Sequence, residues 1–143
     1  MRPYRGKRID NGEWAYGYYA KKCVDEWDNS IDVIIEKDNF FPHEVHPASV
    51  EQSTGKKDNN GTEAYENDII KVTAERNCAF DDYSKCKPFN ASVFWEPYIL
   101  CWFYEELKYG EGRHPLVNCL FEVIGNATDN PELLKENKDV RNI

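Results

Sequence analysis

The sequence is poor in three things, and each scarcity narrows what it can be. Apolar runs are short: the longest, Tyr98–Tyr104, falls far below the roughly 20 residues that cross a bilayer as a helix. The opening Met-Arg-Pro-Tyr-Arg-Gly-Lys-Arg lacks the apolar stretch of a secretory signal, so a cytoplasmic protein with no membrane partner is expected. Catalytic motifs are missing too: there is no Gly-rich phosphate loop, no Gly-x-Ser-x-Gly and no Cys-x-x-Cys. Positive charge is the third scarcity. Eighteen Lys and Arg face 26 Asp and Glu, a net of −8, and such a body is repelled by nucleic-acid phosphate. Duplex nucleic acid is not an expected partner.

Five cysteines (Cys23, Cys78, Cys86, Cys101, Cys119) are odd in number and irregularly spaced, which suits a reducing compartment better than a disulfide framework. The best zinc donors are His43 and His46 with Cys78 and Cys86, a set with the right count and chemistry for a tetrahedral site. The two histidines flank prolines in a loop, however, and seven residues separate the two cysteines. Neither a metal nor a cofactor is expected. Cys78 or Cys86 with His114 would be a nucleophile pair only if a third group oriented the histidine, and nothing nearby supplies one.

What the chain does have is rings: seven Phe, nine Tyr and four Trp against one Met. Rings suit half-buried pleated surfaces, and the alternation agrees. Strands are expected near 4–9, 13–20, 31–36, 68–74, 91–96, 98–106 and 118–124. Asn11-Gly12 joins the first two as a hairpin whose turn positions both call for positive φ. Residues 37–49, 50–66 and 109–115 read as loops or turns, and 76–90 as an exposed connection. The 98–106 strand is apolar on both faces, so it is expected to be central and covered on both sides. Asn130 as N-cap and Pro131 at the first position open a short helix over 131–137. The expected fold is mainly β: one compact domain over 1–143 with a strongly bent antiparallel sheet or SH3-like barrel-type core and a short C-terminal helix. Its parts are a hairpin at 1–20, a loop and strand at 50–74, and a closing strand and helix at 117–137.

Two segments resemble the YopX family. Residues 50–72 read Val-Glu-Gln-Ser-Thr-Gly-Lys-Lys-Asp-Asn-Asn-Gly-Thr-Glu-Ala-Tyr-Glu-Asn-Asp-Ile-Ile-Lys-Val, and residues 122–134 read Glu-Val-Ile-Gly-Asn-Ala-Thr-Asp-Asn-Pro-Glu-Leu-Leu. The first is similar to that family's Gln-Tyr-Thr-Gly-Leu-Lys-Asp-x-Asn-Gly stretch followed by Ile-Tyr-Glu-Gly-Asp-Ile-Val, and the second to its closing Glu-Val-Ile-Gly-Asn-x-x-x-Asn-Pro-Glu-Leu. Ser53, Lys56, Ala64 and Asn67 depart from the pattern, replacing Tyr, Leu, Ile and Gly. The resemblance implies a phage- or prophage-encoded, mostly β protein and no established general activity. The residues themselves read as structural: Thr54, Gly55, Asp58 and Gly61 shape the loop, and Tyr65 anchors its flank. Asp68 closes a turn before its strand, while Gly125, Asn126, Asn130 and Pro131 end the last strand and start the helix.

Residues 1–22 hold six basic and two acidic side chains, a local +4 that leaves −12 on residues 23–143. The plain account of the bases is a solvated strand edge. Beside them stand Trp14, Tyr16 and Tyr18 on one strand face, and Trp102 and Tyr104 further on. With Arg5, Arg8 and Arg113 these rings form the candidate ligand-binding set, since rings with cations hold nucleobases and phosphates. The expected function is stoichiometric binding by a non-enzymatic phage accessory protein. Its partner would be a host protein or a nucleotide signal of host defence, so that the protein acts in counter-defence; a homo-oligomer is also compatible. A structural or regulatory phage role, a small hydrolase or a zinc-binding protein are the alternatives.

Overall fold

A computed structural model describes residues 3–75, 89–96, 101–106, 113–116 and 119–134. It is mainly β, with eleven strands among the described residues: β1 (Tyr4–Lys7), β2 (Trp14–Cys23), β3 (Ser30–Ile35), β4 (Pro42–Glu44), β5 (Glu51–Lys57), β6 (Glu63–Tyr65), β7 (Asp68–Glu75), β8 (Phe89–Glu96), β9 (Cys101–Glu106), β10 (Arg113–Pro115) and β11 (Cys119–Asn126). A 3-10 turn covers Pro47–Ser49, and a helical turn at 132–134 follows the last strand. The chain divides into two compact units, Met1–Ser53 and Thr54–Ile143.

In the first unit the strands lie in the order β4-β3-β2-β1-β5, all antiparallel. One face of this sheet is its core: Ala15, Ile34 and Val45 are buried, with Tyr4, Tyr19 and Val50 packed against them. The Tyr4 and Tyr19 rings meet at 5.6 Å, and the Tyr19 hydroxyl donates to Asp32 at 2.6 Å. That bond, with some burial, raises the phenol's pKa. At the β1–β2 turn only Gly12 takes a positive φ, of 73°. The turn is therefore longer than the two-residue hairpin expected from Asn11-Gly12. Arg8 N–H reaches the Glu13 carbonyl at 2.8 Å, and the Asn11 side chain accepts Glu13 N–H at 2.9 Å.

The second half of β5 runs into the second unit and neighbours β6 there. The second unit's other strands form a sheet in the order β10-β9-β8-β7-β11. Its core is Ala64, Ile70, Val72, Ala91, Val93, Trp102, Tyr104, Leu116 and Phe121. Trp102, Phe103 and Tyr104 are consecutive and all buried, so β9 is covered on both faces as its sequence suggested. The described strands make two antiparallel sheets rather than a closed SH3-like barrel. Residues 42–44, 51–57, 63–65 and 113–115 are strands where loops or turns were expected. Most of the expected 76–90 connection, and the helix beyond residue 134, lie outside the described residues.

The β6–β7 turn explains one family position. Asp68 is buried and accepts Tyr65 N–H at 2.7 Å, while Asn67 sits at φ 66°, a left-handed conformation that Asn tolerates well among residues with a side chain. Asp68→Ala leaves that N–H without its carboxylate, which costs about 1–3 kcal/mol. Urea denaturation followed by circular dichroism should show the loss, and an unchanged midpoint would contradict this role.

Candidate functional site

The first unit's sheet brings part of the expected ring-and-cation set together. Antiparallel register places Arg5 opposite Tyr16 and Lys7 opposite Trp14, so these four share a face with Tyr18. Arg5 Cζ lies 4.5 Å from the centre of the Trp14 ring and Lys7 Nζ 4.6 Å from it, so one indole meets two cations. Lys37 Nζ stands 5.6 Å from the Tyr18 ring. Arg5 also donates to Glu51 at 2.9 Å, with both side chains buried. Tyr16 is half exposed on the same face.

The rest of the set is elsewhere. Arg8 sits at the end of the first hairpin in a two-bond pair with Asp10, at 3.0 and 2.7 Å. That pairing raises the guanidinium pKa and lowers the carboxyl's. Trp102 and Tyr104 are core residues of the second unit and have no exposed ring face to offer a ligand. Trp95 packs edge-on against Trp102 at 5.1 Å, and the Trp102 indole N–H meets no hydrogen-bond acceptor among the described residues. Arg113 lies on β10 opposite Glu105, in register alone. These three are thus not part of the first unit's face.

The family-motif residues are knitted into the fold. Thr54 Oγ1 donates to the Ala64 carbonyl at 2.8 Å and accepts Lys56 N–H at 3.0 Å. Gly55, expected in a turn, lies within β5 at φ 76°; Gly61 is in the turn, at φ 82°. Asp58 accepts three backbone N–H groups: Asn60 at 2.9 Å, Thr62 at 2.8 Å and Val123 at 2.9 Å. Burial pushes its carboxyl pKa up, but the three bonds outweigh burial and the net shift is downward. Asn126 Oδ1 accepts Thr128 and Asp129 N–H, closing the turn after β11. Asn130 precedes the helical turn as expected, but its side chain turns back to accept Asn126 N–H at 3.1 Å instead of capping the helix. Gly125 leaves room for that amide, since a Cβ there would sit 2.5 Å from Asn130 Oδ1.

No group of three or more metal-donor side chains occurs among the described residues. His43 bonds Glu36 at 2.7 Å, lowering the Glu36 pKa, and packs on Phe41. Cys78 and Cys86 lie outside the described residues. Cys23 is free and exposed.

Sequence reasoning passed over the most exposed rings among the described residues. Trp27, at the tip of the β2–β3 hairpin, is 83% exposed; Phe40 (72%) and Phe41 (56%) occupy the β3–β4 turn at the other end of β3. The Trp27 turn is firmly built. Asp25 accepts the N–H groups of Trp27 (2.8 Å) and Asn29 (3.3 Å) and the Asn29 side-chain amide (2.6 Å). Val24 N–H reaches the Asn29 carbonyl at 3.0 Å, and Asp28 takes φ 61°. The Asn29 amide first, and then the Trp27 N–H, hold the Asp25 carboxyl below its ordinary pKa. The readable signal was a tryptophan inside the acidic turn Asp25-Glu26-Trp27-Asp28-Asn29. A turn does not need a ring, and water does not welcome one.

No curated protein matches the chain. Among solved structures, the crystal structure of protein EF1440 from Enterococcus faecalis is similar, with a TM-score of 0.50 and 22% identity, covering 94% of this chain and 98% of that one. That likeness is one of fold. No helix among the described residues is long and apolar enough to cross a membrane. The family model described as YopX protein matches residues 3–135, across both units, and the chain belongs to the YopX protein family.

Proposed function

We propose that this protein acts by stoichiometric binding to a basic protein surface, and that Trp27 is the anchor of the contact. The observation that carries the reading is an indole 83% exposed on a turn whose backbone is already held by Asp25. Burying an aromatic ring on a partner is a strong source of affinity, and tryptophan is prominent among the residues that dominate interfaces. A turn fixed beforehand loses little conformational freedom on binding. Asp25, Glu26 and Asp28 surround the ring with negative charge, and the chain as a whole carries −8, which favours a partner whose pocket has a basic rim. In the family's phage setting that partner is a host protein, and its occupation is the counter-defence act.

A nucleotide ligand is the second reading, and the Trp14 face is what favours it. There, however, Arg5 is already engaged by Glu51 and both Arg5 and Lys7 lie against the indole, so a phosphate would have to displace existing contacts.

Trp27→Ala tests the proposal. Its ring is largely outside the fold, so the melting temperature should stay within about 2 °C, whereas affinity for the captured partner should fall at least about 30-fold, the scale of a hot-spot residue. Binding that survives the substitution while salt still weakens it would move the contact to another acidic surface. Binding that follows Arg5 and Lys7 substitutions, with a nucleotide as the bound species, would replace this reading with the second.

A further inference from the structure

We propose that the Lys57–Thr62 turn is a guard on an open sheet edge, and that Asp58 keeps a second copy of this chain from adding a strand there. Among the described residues, the order β10-β9-β8-β7-β11 gives β11 a strand neighbour, β7, on one side only. Eight residues is long for such an edge, and Leu120 (50%) and Ile124 (36%) expose apolar surface along it. Two register shifts against β7, at Leu120/Phe121 and Val123/Gly125, bend the strand but do not remove its outward groups.

In an antiparallel pair alternate residues turn their N–H and C=O away from the partner strand. On β11 the groups of Phe121 and Val123 meet the turn instead. The Phe121 carbonyl accepts Asn59 N–H at 3.1 Å, and Val123 N–H donates to the Asp58 carboxylate at 2.9 Å. The carboxylate thus stands where the carbonyl of a further strand would be. The turn is closed on itself by Asp58 N–H to the Thr62 carbonyl (2.8 Å) and Gly61 N–H to the Asp58 carbonyl (3.0 Å). Its hold on β11 therefore comes down to the adjacent pair Asp58 and Asn59.

A second copy is the occupant the geometry selects. Once the turn lets go of the Phe121 carbonyl and Val123 N–H, two β11 edges laid antiparallel about a twofold axis each offer one acceptor and one donor, which is a self-complementary arrangement. Leu120 and Ile124 would add apolar contact along the same line.

Sedimentation of the full chain over a range of concentrations tests this. Asp58→Ala should change from the wild-type profile to a concentration-dependent doubling of mass, and Asp58→Ala with Leu120→Lys should return to the wild-type profile, because lysine on an edge opposes strand addition. Asp58→Asn is the milder second variant. The orientation that keeps the Asn60 and Thr62 bonds on the amide oxygen sets its N–H group against Val123 N–H, so it should associate as well. Hydrogen exchange at the Val123 amide reports whether the edge has opened while the rest of the fold stays protected. A folded Asp58→Ala with an open Val123 amide and an unchanged mass would overturn the proposal. So would association that Leu120→Lys leaves untouched. Should Asp58→Ala not fold, Asp58→Asn is judged by the same two criteria.

Discussion

Gly17→Ala should strongly destabilise the first unit. Gly17 lies on β2 where β1 and β3 flank it on either side, and a Cβ there would run into the Ile35 carbonyl oxygen, with the Ile35 carbonyl carbon at 2.8 Å and Glu36 Cα at 3.2 Å. All three obstructing atoms are backbone, so no rotamer change relieves the clash. The β2–β3 ladder itself must part, next to the Tyr18–Ile35 pair. Overpacking in a core costs about 1–3 kcal/mol when side chains can adjust. Here the cost should be about 3 kcal/mol or more, a fall of roughly 10 °C in melting temperature for a chain of this size. Thermal denaturation by circular dichroism measures it, and a melting temperature within about 2 °C of wild type would show that β2 and β3 are not in this register.

Glu51→Ala should produce the second large loss. Arg5 and Glu51 are paired across the β1–β5 ladder, at 2.9 Å, with side chains 6% and 3% exposed. Taking one partner from a buried pair leaves the other charge poorly compensated, typically a loss of 3–5 kcal/mol, and the Trp14 ring offers Arg5 only partial compensation. About 3 kcal/mol is expected from urea denaturation. Glu51→Gln keeps an acceptor oxygen and should cost clearly less. Since the Arg5 guanidinium lies over Trp14, the fluorescence of the native protein should change as well. Equal midpoints for wild type and Glu51→Ala would mean that the pair contributes nothing net.

The strands that sequence alone revealed share one property: they hold enough rings or β-branched side chains to alternate visibly. β2 shows Trp14, Tyr16 and Tyr18, β7 shows Ile69, Ile70 and Val72, and both were legible. β5 reads Glu-Gln-Ser-Thr-Gly-Lys-Lys, the composition of a loop, and is a strand because β1 and β6 pair with it and because Ser53 and Thr54 are buried. β10 carries a proline, which a sheet edge accepts and a central strand does not. The Asp58 carboxylate was legible as a local turn closer. Its bond to Val123, 65 residues away, was not, because the partner is a backbone N–H and leaves no trace in residue identity.

The candidate site shows the same division. Trp14, Tyr16 and Tyr18 do share a face with Arg5, as a period of two requires. Trp102 and Tyr104 have the same composition and a different fate, since β8 and β10 flank their strand and the core closes over it. Trp27, Phe40 and Phe41 were missed because reading for alternation passes over turns, and their exposure is a property of the folded chain.

The most direct test of the central claim is a calorimetric titration of the captured protein partner with the wild-type chain. The binding account predicts saturation at a fixed molar ratio, recovery of both proteins chemically unchanged, and affinity that falls with added salt as a basic rim around an acidic turn requires. An effect on the partner that continues at far below one equivalent, with a chemically altered product, would contradict it and make the protein an enzyme.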